Sequence, residues 1–297
     1  MEELNMKINR GGEEMKYNTE LVKYLRLAAV AFVITAFSAT LSGQDLVILH
    51  TNDTHSNIEP AASGRNAGLG GFQRRANYIE KVRGEHKSVL LLDAGDYNQG
   101  TPYFTLFKGY AEIELYNAMK YDAVCLGNHE FDNGQQQLAE RLKKAKYPTL
   151  CANYDFTETP LKGMIKPYTI IKKGGRKIGI IGVLIDLRGY VAETSRTNLE
   201  YKNPVPIVND LAKMLRDKKG CDLVIVLSHI GFDDGSEKNP SDTELAKLTS
   251  NVDMIIGGHS HTFLEAPVTM KNRDGKDVIV AQTGAAGVYV GRIDVTF

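Results

Sequence analysis

From residue 45 onward, short β-branched apolar runs alternate with stretches of helical periodicity, and this order constrains the fold more than any other feature of the chain. DLVILHTN, SVLLLDAGD, YDAVCLGNH, YPTLCAN, KIGIIGVLID, CDLVIVLSH, VDMIIGGHS and DVIVAQTG read as strands. Most are apolar at nearly every position, so both faces of each need cover. Between them, GGFQRRANYIEKVRGEH, GYAEIELYNAMK, GQQQLAERLKKAK, PVPIVNDLAKMLRDKK and SDTELAKLTS repeat apolar residues at helical spacing with charged opposite faces. KPYTIIKKGGRKIGIIGV carries a GG turn between two strand-like runs and is expected to form a β-hairpin. The sequence contains no internal repeat, low-complexity tract or linker, so one α/β domain over residues 44–297 is the economical expectation.

Composition removes several function classes. Hydrophobic residues make up 42% and charged residues 24%, the balance of a globular protein. Formal net charge is zero, tryptophan is absent, and no basic stripe interleaves with aromatics, so no binding of a nucleic acid polymer is expected. Cys125, Cys151 and Cys221 each sit at an apolar run without CxxC spacing. Buried inert thiols are expected there, rather than a disulfide framework or a thiolate metal site.

The N-terminus differs in kind. Lys16, Lys23 and Arg26 flank an apolar run from Leu27 to Leu41, followed by the small residues Ser42 and Gly43. This is the layout of an export signal with a cleavage site, so residues 1–43 are expected to be an N-terminal extension and signal peptide. The product would be periplasmic or extracellular. A membrane anchor is the alternative, because the run approaches the length of a spanning helix. Met15 is a candidate start, since the segment ahead of it is acidic and polar.

Polar clusters follow the buried runs. TNDTH presents Asp53 and His55, DAGD presents Asp93 and Asp96, and GNHEFD presents Asn128, His129, Glu130 and Asp132. SHIG adds His229, and GGHSH adds His259 and His261. These loops are expected at the strand ends of an open α/β sheet, where ligands bind. Aspartate, asparagine and histidine without cysteine favour a borderline or hard divalent cation. The donors are too many for one ion. Two divalent ions, zinc, manganese or similar, would use Asp53, His55, Asp96, Asn128, His229, His259 and His261, with one carboxylate shared. Such a pair can hold a hydroxide and neutralise phosphate oxygens under in-line attack, so phosphoester hydrolysis is the expected chemistry. His129 would remain free to hydrogen-bond phosphoryl oxygens or protonate the leaving group, with Asp132 orienting it. Glu130 is read as structural or as a support for the ligands, and His50, inside a strand, as at most a support for the site.

HTNDTH, DAGD followed by QGTPYF, YDAVCLGNHEFDNG, VIVLSHIG and IIGGHSHT together resemble the metallophosphatase domain of the 5′-nucleotidase family, within the wider calcineurin-like metallophosphoesterases. The resemblance covers about residues 44–297 and implies an α/β fold, a four-layer αββα sandwich. It implies Asp53, His55, Asp96 and His261 on one ion, Asp96, Asn128, His229 and His259 on the other, Asp96 as bridge, and His129 with Asp132 as the catalytic dyad. Members are commonly exported, and many continue into a C-terminal domain whose aromatic residues stack on the nucleobase. This sequence departs from that pattern by stopping after VYVGRIDVTF. Three expectations follow: a separate chain carries the C-terminal substrate-binding domain, this domain alone sets specificity, or the enzyme is a general phosphatase. The expected activity is that of an exported 5′-nucleotidase-like phosphomonoesterase acting on a phosphorylated small molecule, a nucleotide first. A cyclic-nucleotide or nucleotide-sugar phosphodiesterase is the alternative, and a non-catalytic binding protein on the same scaffold the remote one.

Overall fold

The computed structural model describes residues 46–233 and 239–297. The expected export segment lies outside them. Two six-stranded sheets make up the centre of the domain. In the first, β1 (Leu46–Thr51), β2 (Val89–Asp93), β3 (Ala123–Cys125), β4 (Thr149–Leu150) and β5 (Ile165–Lys166) run parallel in that order. The second has β6 (Tyr168–Lys173) at one edge, antiparallel to β7 (Arg176–Leu184). Next come β8 (Leu223–His229), β9 (Met254–Gly257) and, beyond β10 (Val268–Lys271) in the chain, β11 (Asp277–Ala281), all parallel to β7. β10 closes the far edge antiparallel to β11, and β12 (Gly291–Val295) returns to pair antiparallel with β1.

The near-continuous apolar character of the strands is accounted for by cover on both faces. Along β1, Leu46 and Ile48 join Leu90, Leu92, Ile178, Ile225, Leu227 and Ile256 in a core between the sheets. Val47 and Leu49 turn the other way, against Phe72, Ile79 and Val82 of α1 (Phe72–Glu85) and Ile113, Tyr116 and Met119 of α3 (Tyr110–Met119). Short α2 (Pro102–Phe107) precedes α3, and α4 (Gly134–Leu142) adds Leu138 and Leu142 to the same layer. On the second sheet, Val183, Val224 and Val226 pack against Val208, Ala212 and Leu215 of α5 (Pro204–Asp217) and Leu245 of α6 (Asp242–Leu248). The result is the four-layer αββα arrangement.

Every expected strand and helix is present, and the expected hairpin is the β6–β7 pair joined at Gly174 and Gly175. Three strands and one α-helix had no counterpart in the sequence reading, β5, β10, β12 and α2, nor did the short 3-10 turns at His129–Phe131 and Glu193–Ser195. The strands are edge strands that face solvent or are only two residues long, so they lack a buried-strand pattern. α2 starts at Thr101–Pro102, with proline in its first turn where the missing N–H has no partner to lose.

Candidate metal centre

All the polar clusters lie at the carboxyl ends of β1, β2, β3, β8 and β9, so the two sheets deliver them to one place. Reaching inward requires an immediate reversal of the chain after each strand. Asp53, His55, Asp96, His259 and His261 all have left-handed backbones, with φ of 48°, 46°, 54°, 74° and 53°. For residues with a Cβ this costs of order 1 kcal/mol each, and such strain persists only where the surroundings enforce it. Here they do. Asp53 N–H donates to Gly95 O (2.9 Å), His55 N–H to Asp96 O (3.0 Å) and His259 N–H to Asp53 Oδ2 (3.0 Å). Glu130, fully buried, accepts N–H groups from Gly127, Asp96, Tyr97 and Asn98, tying the turn after β2 to the turn after β3. Two glycines make room. A Cβ on Gly127 would lie 2.2 Å from Asp96 Oδ1, and one on Gly258 would lie 2.8 Å from His229 Nδ1.

Within this frame the side chains converge. His55 Nε2 is 2.9 Å from His261 Nε2, which is 3.4 Å from Asp53 Oδ1. His229 Nε2 is 3.0 Å from Asp96 Oδ2, and His259 Nδ1 is 2.9 Å from Asn128 Oδ1. Donor atoms of Asp53, His55 and His261 fall within 4.8 Å of one another, as do those of Asp96, His229 and His259, and those of His55, Asp96 and His129. Asp96 belongs to two of these groups, and so does His55, so that the two residues together link all three. The third group brings His129 closer to the cluster than a side chain wholly apart from it.

The donor chemistry fits a cation. His229 Nδ1–H donates to Ala94 O (2.7 Å) and His55 Nδ1–H to Asn98 O (3.2 Å), which in neutral imidazoles leaves the inward nitrogens as bare lone pairs. These face carboxylates and another imidazole. Asp53 and Asp96 are 0% and 2% exposed, and among the described residues neither pairs with a lysine or arginine. Two buried carboxylates without a basic partner call for positive charge from elsewhere. Protons can supply part of it. Burial alone would lower the pKa of His229, yet Asp96 overrides it and pushes the imidazole up to about 10. Burial works against Asp96 in turn, and His229 holds its carboxyl below the usual range. A divalent ion would displace that proton.

His129 is half-open to solvent, with its Nδ1 2.8 Å from Asp132 Oδ2. Partial burial lowers its pKa, but the bond to Asp132 and the charges of Asp96, Asp132 and Glu130 outweigh it and hold the pKa above the ordinary histidine value. His50 stands apart. Its ring lies against Gly291 of β12, and burial drops its pKa to about 4, so it is neutral at physiological pH.

Sequence reasoning missed several supports of the site. Asn52 donates to Asp53 Oδ2 (2.6 Å) and accepts from Thr283 N–H (2.9 Å), so it fixes the carboxylate against the β11 end. Gln282 holds the GGHSH loop, donating to Gly258 O (2.9 Å) and accepting from Thr262 N–H. The rings of Tyr190 and His259 meet in a T-shaped contact, with centroids 4.8 Å apart. Only the adjacency of Asn52 to Asp53 was visible in the sequence. Asn153 exchanges hydrogen bonds with the backbone of Leu184 and is structural.

The calcineurin-like phosphoesterase family profile matches residues 46–263. The chain belongs to that family. Its cofactor is a pair of divalent metal ions, and the aspartate–histidine groups above are able to bind metal. Among curated relatives, a snake venom 5′-nucleotidase from Crotalus adamanteus is 35% identical over 98% of this chain, and the Homo sapiens 5′-nucleotidase is 34% identical over 91%. The chain spans about half the length of these relatives, 52% and 50%. Among solved structures, a 5′-nucleotidase precursor from Thermus thermophilus is 36% identical with a TM-score of 0.77, over 85% of this chain and 51% of that one. An NAD nucleotidase from Haemophilus influenzae is 32% identical with a TM-score of 0.73, over 85% and 47% respectively.

Proposed function

We propose that this phosphoesterase is an exported phosphate-monoester hydrolase of the 5′-nucleotidase type, with nucleoside 5′-monophosphates as leading substrates. The observation that carries the reading is the pair of buried carboxylates Asp53 and Asp96, without a lysine or arginine partner among the described residues and ringed by histidine nitrogens and the Asn128 amide. In this reading Asp53, His55, Asp96 and His261 hold one ion, Asp96, Asn128, His229 and His259 hold the other, and Asp96 bridges. The likeness to 5′-nucleotidases supports the substrate class. A substrate-binding domain, matching the half of those relatives that the chain does not span, is proposed as a partner, on a separate chain or in the same protein. Export rests on the N-terminal segment, and residues 44–297 form the metallophosphatase domain.

Two divalent ions here supply Lewis acidity that neutralises phosphoryl oxygens and makes a water nucleophilic at neutral pH. The chain's own groups do the rest. Asn128 and the histidines contribute neutral donors, so the two carboxylates leave the centre net positive and receptive to a phosphate dianion. His129, its Nδ1 held by Asp132, is placed to hydrogen-bond a phosphoryl oxygen or to protonate the departing alkoxide. Glu130 keeps the turns that carry Asp96 and Asn128 in register through the attack.

The test is phosphate release by the metal-loaded protein from 5′-AMP, 3′-AMP, 2′,3′-cyclic AMP, a UDP-sugar and an aryl phosphate. Metal-dependent release favouring 5′-AMP is expected. Absence of metal-dependent release from all five overturns the hydrolase reading.

A further inference from the structure

Tyr190 meets His259 in a T-shaped contact at the mouth of the metal centre. The two rings meet at 84°, so the contact occupies at most one face of the tyrosine, and Tyr190 remains 54% exposed. The loop around it behaves differently. Leu187 and Val191, on either side, are 1% and 7% exposed and belong to the core beneath the first sheet. A hydrophobic loop residue with no structural duty would be expected to fold inward beside them.

Several bonds keep it outward. Tyr190 N–H and Val191 N–H both donate to Leu187 O, at 3.2 and 3.0 Å, closing a tight turn. Leu187 N–H donates to the Tyr154 hydroxyl (2.9 Å), which donates to Ile185 O (2.9 Å). Arg188 folds back on Asp186, with Nε 2.9 Å from Oδ2. Farther along, Thr197 O accepts from Gln135 of α4, the helix that follows Asp132. The loop thus touches His259 through Tyr190 and is tied through Thr197 to the helix that follows Asp132, and its large exposed apolar group stands on the rim of the metal centre.

We propose that Tyr190 is a specificity-determining residue whose exposed ring stacks on the aromatic base of the leaving nucleoside. The inference rests on the hydrolase reading above and deepens it. A phosphate held at the metal centre, with its ester oxygen toward His129, sends its organic group outward past the loop that carries Tyr190. A flat ring fixed at that rim favours a leaving group that is itself flat, whereas a bare sugar offers no surface to stack. Loss of one aromatic platform weakens base binding by about tenfold or more.

The experiment compares 5′-AMP with ribose 5-phosphate, which carries the same phosphate and sugar without a base. kcat and KM are measured for the full metal-loaded chain, for Tyr190→Ala and for Tyr190→Phe. The expected result is a preference for 5′-AMP that falls about tenfold in Tyr190→Ala, expressed in KM, and returns in Tyr190→Phe. A drop in kcat of equal size on both substrates would show that Tyr190 only steadies His259, and would overturn the inference. So would hydrolysis of both substrates without preference in the unsubstituted chain, which leaves the hydrolase reading standing. No turnover of either substrate overturns both.

Discussion

Asp96 carries more of the centre than any other residue, because its carboxylate faces His229 while its own backbone and that of His129 are tied to neighbouring turns. Asp96→Asn is expected to abolish phosphate release and to lower bound metal at both positions, read by elemental analysis of the purified protein. Full activity in that variant would remove the bridging role. His129→Ala is expected to leave metal content intact while lowering kcat by about two orders of magnitude or more, since it removes a proton donor and a phosphoryl contact together. A third residue lends itself to a pH measurement. Asp93 is fully buried, and burial pushes its carboxyl up to about 7, although Thr51, Gly95 and Tyr116 all donate hydrogen bonds to it. A raised folded-state pKa contributes stability below about pH 4 that is lost as pH rises through about 7. Asp93→Asn should therefore be destabilised most in acid, and its deficit should shrink by up to ~4 kcal/mol by pH 8 in denaturant titrations. At this scale the convergence of these side chains was legible, because aspartates and histidines stacked behind buried strands have few other uses. Asn52, Gln282 and Tyr190 were not. Their roles depend on which loops meet in space, and nothing in their residue types announces that.

At the scale of elements, the strand ends and the turns behind them act as units. Gly127→Ala would drive a methyl into the Asp96 carboxylate, so the turn after β3 has to move away from the turn after β2. Activity is expected to drop at least tenfold with little change in far-UV circular dichroism; unchanged activity would mean that the turns can yield. The inter-sheet layer is less forgiving. Leu92, 0% exposed in the core shared by both sheets, is expected to cost ~2–5 kcal/mol when cut to alanine, measured by chemical denaturation. Buried strands such as β1, β2 and β8 were readable because two covered faces force an unbroken apolar run. The edge strands β5, β10 and β12 gave no such run, since solvent on one side removes the requirement.

Across the whole molecule, the metal centre joins the two sheets. Asp53, Asp96 and Asn128 follow strands of the first, while His229, His259 and His261 belong to the second. Bound ions therefore favour the folded state by linkage, and at 100 times the dissociation constant one site adds ~2.7 kcal/mol. Chelation by EDTA is expected to lower the melting temperature by several degrees, with recovery on adding back zinc or manganese; an unmoved melting curve would argue against tight ions at this place. The layer order was legible because strands and helices alternate along the chain, but which loops would face each other across the sandwich was not. Cys125, Cys151 and Cys221 are 0%, 3% and 5% exposed, and burial pushes all three thiols up, Cys151 to about 12. In the native domain they are expected to be silent toward alkylating reagents, so the speed of labelling becomes a clock for opening of the sandwich, already installed and needing no added probe.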